Sequence, residues 1–137
     1  MAVLNNIAQI VWACDQSETF GVSFRFILPG WTMAELAGVR WHAQARDANT
    51  ADLRLDFDSA ANPPTIIAGP LIDGAGLDAT GAPIPGVSVD LTFSQLDTTM
   101  TQVPDGIYPI SVKAITPTDK TIIAAGTLTC TLGPTRE

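Results

Sequence analysis

From Phe20 to Leu28 every second residue is large and apolar: Phe20, Val22, Phe24, Phe26 and Leu28 alternate with Gly21, Ser23, Arg25 and Ile27. Successive side chains of an extended strand point to opposite faces, so this run predicts a strand with one buried face, ended by Pro29-Gly30. The same period of two recurs along the chain. Residues 6–13 carry Ile7, Ile10, Val11 and Trp12, and the next such runs are Val39–Arg46, Leu53–Phe57, Val87–Phe93, Tyr108–Ala114 and Thr121–Leu132. Thr65–Ala68 predicts a short edge strand. Only residues 32–37 suggest a helical turn, with Thr32 as N-cap, Glu35 closing a capping box and Gly38 stopping it. Without amphipathic crossover helices between strands, a parallel α/β fold is excluded. Seven to eight short strands at spacings near a dozen residues predict an all-β, antiparallel sandwich, with residues 1–137 as one domain.

Two kinds of punctuation interrupt the alternation. Residues 59–86 hold five Gly and five Pro, which regular elements tolerate poorly, so this stretch is expected to be a long irregular loop or insertion. Turns are expected at Asp15–Glu18, Asp47–Thr50 and Asp105-Gly106. Pro109 lacks an N–H and predicts an edge or bulge in its strand, and Gly126 predicts a bulge in the last one.

Charge narrows the function classes. The 137 residues carry 14 acids and 7 Lys or Arg, a net charge of −7, and only 15% are charged. Seven bases cannot line a phosphate-neutralising groove, so nucleic acid is not an expected partner. A chain this poor in ionic groups is short of surface charge for a free monomer, which points to surface covered by another protein. From Asp52 to Asp105 there are eight acids and one base, Arg54, a half expected to be a solvated face or to meet a basic neighbour. No apolar run is long enough to span a bilayer, so no membrane is expected. The first basic residue is Arg25, which argues against a secretory signal. Without such a signal, Cys14 and Cys130 are expected as buried thiols, with a disulfide as the alternative if the two ends run side by side.

Reactive constellations are scarce. His42 lies on a strand face with Arg40 and Gln44 and has no nucleophile signature beside it, so no catalytic role is expected. Asp52, Asp56 and Asp58 share strand parity with Arg54. Such acids suit calcium or glycoside hydrolysis, but a polar outer face opposite Leu53, Leu55 and Phe57 is the simpler reading. The loop Asp73–Asp78 lacks the ligand spacing of an EF-hand, and Gly76–Gly81 lacks the Lys and Ser/Thr of a phosphate loop. No enzyme activity, cofactor or metal is therefore expected. Trp12 and Trp41 are expected in the core. Trp31, at a strand exit, is either a plug for one end of the sandwich or an exposed ring for a partner or a sugar.

The order of motifs carries a resemblance. An apolar strand runs into a polar turn at Ile10–Asp15, the alternating strand Phe20–Leu28 follows, and Gly30-Trp31-Thr32 makes a corner. An arginine-bearing strand (Val39–Arg46) and its hairpin mate (Leu53–Phe57) come next. The end reads Leu91–Thr99, then Val103-Pro-Asp-Gly-Ile-Tyr108-Pro-Ile110, with a Gly126 strand closing the chain. This resembles the small immunoglobulin-like β-sandwich proteins of tailed bacteriophages and is similar to the N-terminal domain of the phage baseplate upper protein. The resemblance implies a non-enzymatic virion component of tail, baseplate or neck, made in the host cytoplasm and assembling with its own copies and other virion proteins. Under that reading Trp31, Leu71, Ile72, Leu77 and Ile84 are the expected partner contacts. The alternative from another class is a carbohydrate-binding or host-adhesion module using Trp31 against a host-surface glycan.

Overall fold

A computed structural model describes residues 8–15 and 18–131. Asn6, Ile7, Gln16, Ser17 and Leu132, which the strand and turn expectations include, lie outside the described residues. The elements in chain order are β1 (Ala8–Asp15), β2 (Phe20–Pro29), α1 (Met33–Leu36), β3 (Arg40–Arg46), β4 (Leu53–Asp58), β5 (Ile66–Ala68), β6 (Ile72–Asp73), β7 (Gly86–Gln95), α2 (Asp97–Met100), β8 (Gly106–Ile115) and β9 (Lys120–Thr131). The protein is all-β. One sheet runs β1-β9-β8-β3-β4; the other runs β2-β7-β5, with β6 also on β7. Every pairing is antiparallel except β1 with β9, which is parallel.

The two sheets face each other across an aromatic centre. Trp12 of β1 lies 4.8 Å from the Phe93 ring, 5.4 Å from Phe24, 5.9 Å from Phe20 and 6.3 Å from Phe57 (centroid to centroid). Phe57 meets Phe93 edge-on at 5.8 Å. These contacts join β1 and β4 of the first sheet to β2 and β7 of the second. Tilted and edge-on ring pairs add to plain area burial because ring edges are electropositive and faces electronegative. Phe24 departs from the expected pattern: it is partly exposed, because β2 is an edge strand and the ring reaches over the side of the sandwich to stack on Trp12.

Local signals set several boundaries. Thr32 and Glu35 form the reciprocal capping box of α1, with Glu35 N–H donating to Thr32 Oγ1 at 3.2 Å. Gly38 then takes φ +74°. The β3–β4 turn is stapled by Asp47, whose Oδ1 accepts the N–H groups of Asn49 and Thr50. Pro109 lies inside the sheet, yet β3 pairs with β8 only as far as Ile110. The proline therefore sits where β8 has lost that neighbour, and its missing donor costs no ladder bond.

Gly126 is not the bulge it was expected to be. The register slip between β8 and β9 falls at Ile123, since Val112 pairs with Ala124 while Lys113 pairs with Ile122. Gly126 instead lets two backbones touch: a Cβ there would lie 1.7 Å from the Ile10 carbonyl oxygen of β1. Gly126→Ala must push β1 off β9, and a loss of about 1–3 kcal/mol or more is expected, as for other overpacked sites. Urea unfolding of the variant measures it; an unchanged midpoint would refute the close approach.

Cys14 and Cys130 form a disulfide, not the pair of thiols expected. The parallel ladder sets them directly opposite each other with Cα atoms 4.9 Å apart, inside the range a disulfide spans. Compartment reasoning missed this because only the topology brings the first and last strands together.

Candidate functional site

Two surface features outside the core have defined geometry. The first is a polar ladder on the outer face of β3 and β4. In the antiparallel register His42 is opposite Asp58 and Gln44 opposite Asp56, while Trp41, Ala43, Ala45, Leu55 and Phe57 on the other parity are buried. Arg40 grips Asp58 with two nitrogens, Nε donating to Oδ1 at 2.9 Å and Nη2 to Oδ2. The Ala60 N–H also donates to Asp58 Oδ1, at 2.9 Å. Asp56 Oδ1 meets His42 Nε2 at 2.7 Å and accepts from Gln44 Nε2 at 2.9 Å. Arg46 Nη2 in turn donates to Gln44 Oε1 at 2.8 Å.

This arrangement holds its charges still. The Arg40 guanidinium, the Ala60 N–H and His42 bring the Asp58 carboxyl down to about 2, against the opposing effect of burial. A glycosidase acid needs the reverse, a carboxyl held protonated near neutrality. Asp58 is therefore an ion-pair partner and not a proton donor. His42, Asp56 and Asp58 do offer ligand atoms within 4.8 Å of one another. A cation there would have to displace Arg40 from both Asp58 oxygens and sit beside its positive charge.

The linkage has a definite sign. A carboxyl whose folded value lies below its unfolded value of about 3.8 stabilises the fold above that pH and loses the contribution as pH falls through about 2. Asp58→Asn is expected to cost about 1–2 kcal/mol at pH 7, discounted because Arg40 is half exposed. The cost should shrink progressively below pH 4. Urea midpoints of both proteins at pH 7 and pH 2.5 measure it; a pH-independent difference would refute the ion pair as the cause.

Asp52 and Arg54 do not join the ladder. The register shifts between Ala45 and Arg46, so Ala45 pairs with Leu55 and Arg46 with Leu53, leaving Arg54 as the extra residue. Its guanidinium lies 3.5 Å from Asp47 and 5.9 Å from the Tyr108 ring centroid. Strand parity across a bulge is broken, which alternation along one strand does not reveal.

The second feature is the stretch expected to be irregular. Residues 72–86 instead form the end of a hairpin whose arms are β6 and the start of β7. The ladder continues beyond β6 through Gly74 N–H to the Gly86 carbonyl (2.8 Å), Ala75 N–H to Ile84 (2.9 Å) and Ile84 N–H to Gly76 (2.9 Å). Leu77 bridges to Pro83. Asp78 closes the tip, its Oδ1 accepting from the N–H groups of Thr80 and Ala82 and from the Thr80 hydroxyl. Glycines at φ +104°, +84° and +84° (Gly74, Gly76 and Gly81) supply backbone angles other residues resist. The Gly and Pro content thus specifies a tight hairpin.

The expected contact residues divide on this scaffold. Leu77 is 67% and Ile72 39% exposed on the arm. Ile84 is half-buried, and Leu71 is half-buried against the core. Trp31 is no surface ring. It is 2% exposed within the core cluster, with its indole N–H unpartnered among the described residues. The α1 turn that follows the Pro29-Gly30 exit folds Leu36 into the same cluster, so Trp31 plugs that end.

Sequence reasoning missed Val11, 84% exposed on β1, and the two cations Arg46 and Lys113. The latter flank a shallow depression of about 420 Å³ on the outer face of the first sheet. Among the described residues no helix is long and apolar enough to cross a membrane. The chain matches no protein-family model, and no curated protein matches it in sequence.

Proposed function

We propose that this chain is a non-enzymatic structural component that works by protein–protein assembly, as an immunoglobulin-like sandwich of the kind found in tailed-bacteriophage virions. The observation that carries the assembly reading is the hydrogen-bonded hairpin arm at residues 72–86. It leaves Leu77 and Ile72 exposed on a segment laced by its own backbone bonds. Folding gains little from exposing a leucine on a hydrogen-bonded hairpin, whereas a partner surface gains from burying it.

Support for the immunoglobulin-like part comes from three details. The first strand pairs in parallel with the last. Trp41 of β3 is buried. Tyr108, two residues into β8, donates its hydroxyl to the Pro104 carbonyl four residues upstream at 2.5 Å, the corner by which a tyrosine fastens the strand entry of such sandwiches. The glycan alternative loses its aromatic platform with Trp31 buried.

Sedimentation velocity between about 10 μM and 1 mM tests the assembly reading. A mass rising above the 14.4 kDa of one chain, reduced in Leu77→Asn, is the expected result. A single-chain mass throughout, alone and with neighbouring gene products added, would overturn it.

A further inference from the structure

We propose that the depression on the outer face of the first sheet is the acceptor for the hairpin arm of a second copy of this chain. This deepens the assembly reading and rests on it. Six Lys and Arg lie among the described residues. Arg25, Arg40 and Arg54 are paired to Asp90, Asp58 and Asp47. Arg46, Lys113 and Lys120 have no carboxylate partner among the described residues. Two of these three line the same depression. In a chain with twice as many acids as bases, two unneutralised cations around one dish are a charge imbalance that an acidic partner corrects. Arg46 is further held in place by the Gln44 side chain and by the Ala51 carbonyl, to which its Nη1 donates at 3.0 Å.

The floor between the cations is low and uncharged, made by Pro109, Ser111, Ala125 and Gly126. The complement is on the chain itself. The arm carries exposed Leu77 between two acids, Asp73 and Asp78. Asp78 spends Oδ1 on its own loop but keeps its negative charge. An apolar side chain flanked by acids fits a low, uncharged floor flanked by bases. Arm and dish lie on different sheets, so the contact is head-to-tail and propagates as a ring or an open string of copies.

A charge-exchange experiment on the full chain tests this. Variant X is Arg46→Glu with Lys113→Glu. Variant Y is Asp73→Lys with Asp78→Asn, the asparagine keeping the Oδ1 that caps the tip. Alone, each opposes like charges, and each should associate at least tenfold more weakly than the unaltered chain. Mixed one to one, X accepts the arm of Y while Y accepts the arm of X, and association should return. Far-UV circular dichroism checks that both variants keep the fold. If X alone associates like the unaltered chain, or if the mixture stays as weak as its parts, the dish is not the acceptor, while the assembly reading stands. If the unaltered chain does not associate with itself at 1 mM, the self-acceptor is overturned; association with other proteins then decides the broader reading separately.

Discussion

Reduction of the Cys14–Cys130 disulfide should lower the unfolding free energy by roughly 3–5 kcal/mol, the largest single effect expected of any covalent change in this protein. The two residues are 116 positions apart, so the cross-link closes nearly the whole chain into one loop. In the chain-entropy account, the longer the loop, the more freedom the unfolded chain lacks while the bond is intact. The folded state changes little, since β1 keeps its eight-residue ladder with β9. Urea unfolding with and without a phosphine reductant measures the difference. The reduced chain should show a lower midpoint together with a steeper denaturant slope, because its unfolded ensemble exposes more surface. Identical curves, with thiols titrating as two free groups in the reduced sample, would rule out the cross-link as a stabiliser.

Trp12→Ala should cost about 3–5 kcal/mol. The ring is 3% exposed and touches Phe20, Phe24, Phe57 and Phe93, so its removal leaves a cavity shared by both sheets. Four rigid aromatic neighbours cannot collapse far into that space without leaving their rotamers. The near-UV circular dichroism of the cluster should fall with the stability, since the rings that give it lose their fixed partner. A loss under 1 kcal/mol would mean that β1 is a loosely attached edge and not part of the central packing.

Period-two alternation located the long strands. It works where one face is buried and the other wet, as in β3, where Trp41, Ala43 and Ala45 go inward and Arg40, His42 and Gln44 outward. The capping box at Thr32 and Glu35 was equally legible, because its donors and acceptors lie within one turn of chain. Alternation failed where its premise failed. Phe24 has the right parity but belongs to an edge strand, so it stacks on Trp12 yet stays partly exposed. Arg54 sits at a bulge, where two residues face one and parity reverses. The stretch 72–86 has no alternation to read, since the arm is built from glycine-permitted turns and backbone bonds, with Leu77 and Ile72 contributing surface instead of core.

The candidate site was legible only in pieces. Leu77 and Ile72 were recognisable as apolar residues in a segment poor in strands. Arg46 and Lys113 are 67 positions apart in the chain, and no local pattern relates them. They become one feature through β3 pairing with β8, which sets their strands side by side in the same sheet. The same holds for the ladder of Arg40, His42, Asp56 and Asp58, whose acids were visible as a group but whose cationic partners depend on the β3–β4 register.

Alternation and turn residues were enough to establish an all-β chain with its long strands in their places, because strand formation and its faces are set by neighbours two residues apart. Which strands became edges, whether the two cysteines met, and whether an acid met a base or water depended on pairings across separations from 7 residues, Arg54 with Asp47, to 116, Cys14 with Cys130. Those pairings are chosen by the joint burial of both sheets around Trp12, Phe57 and Phe93, a collective free energy that no local stretch of chain contains.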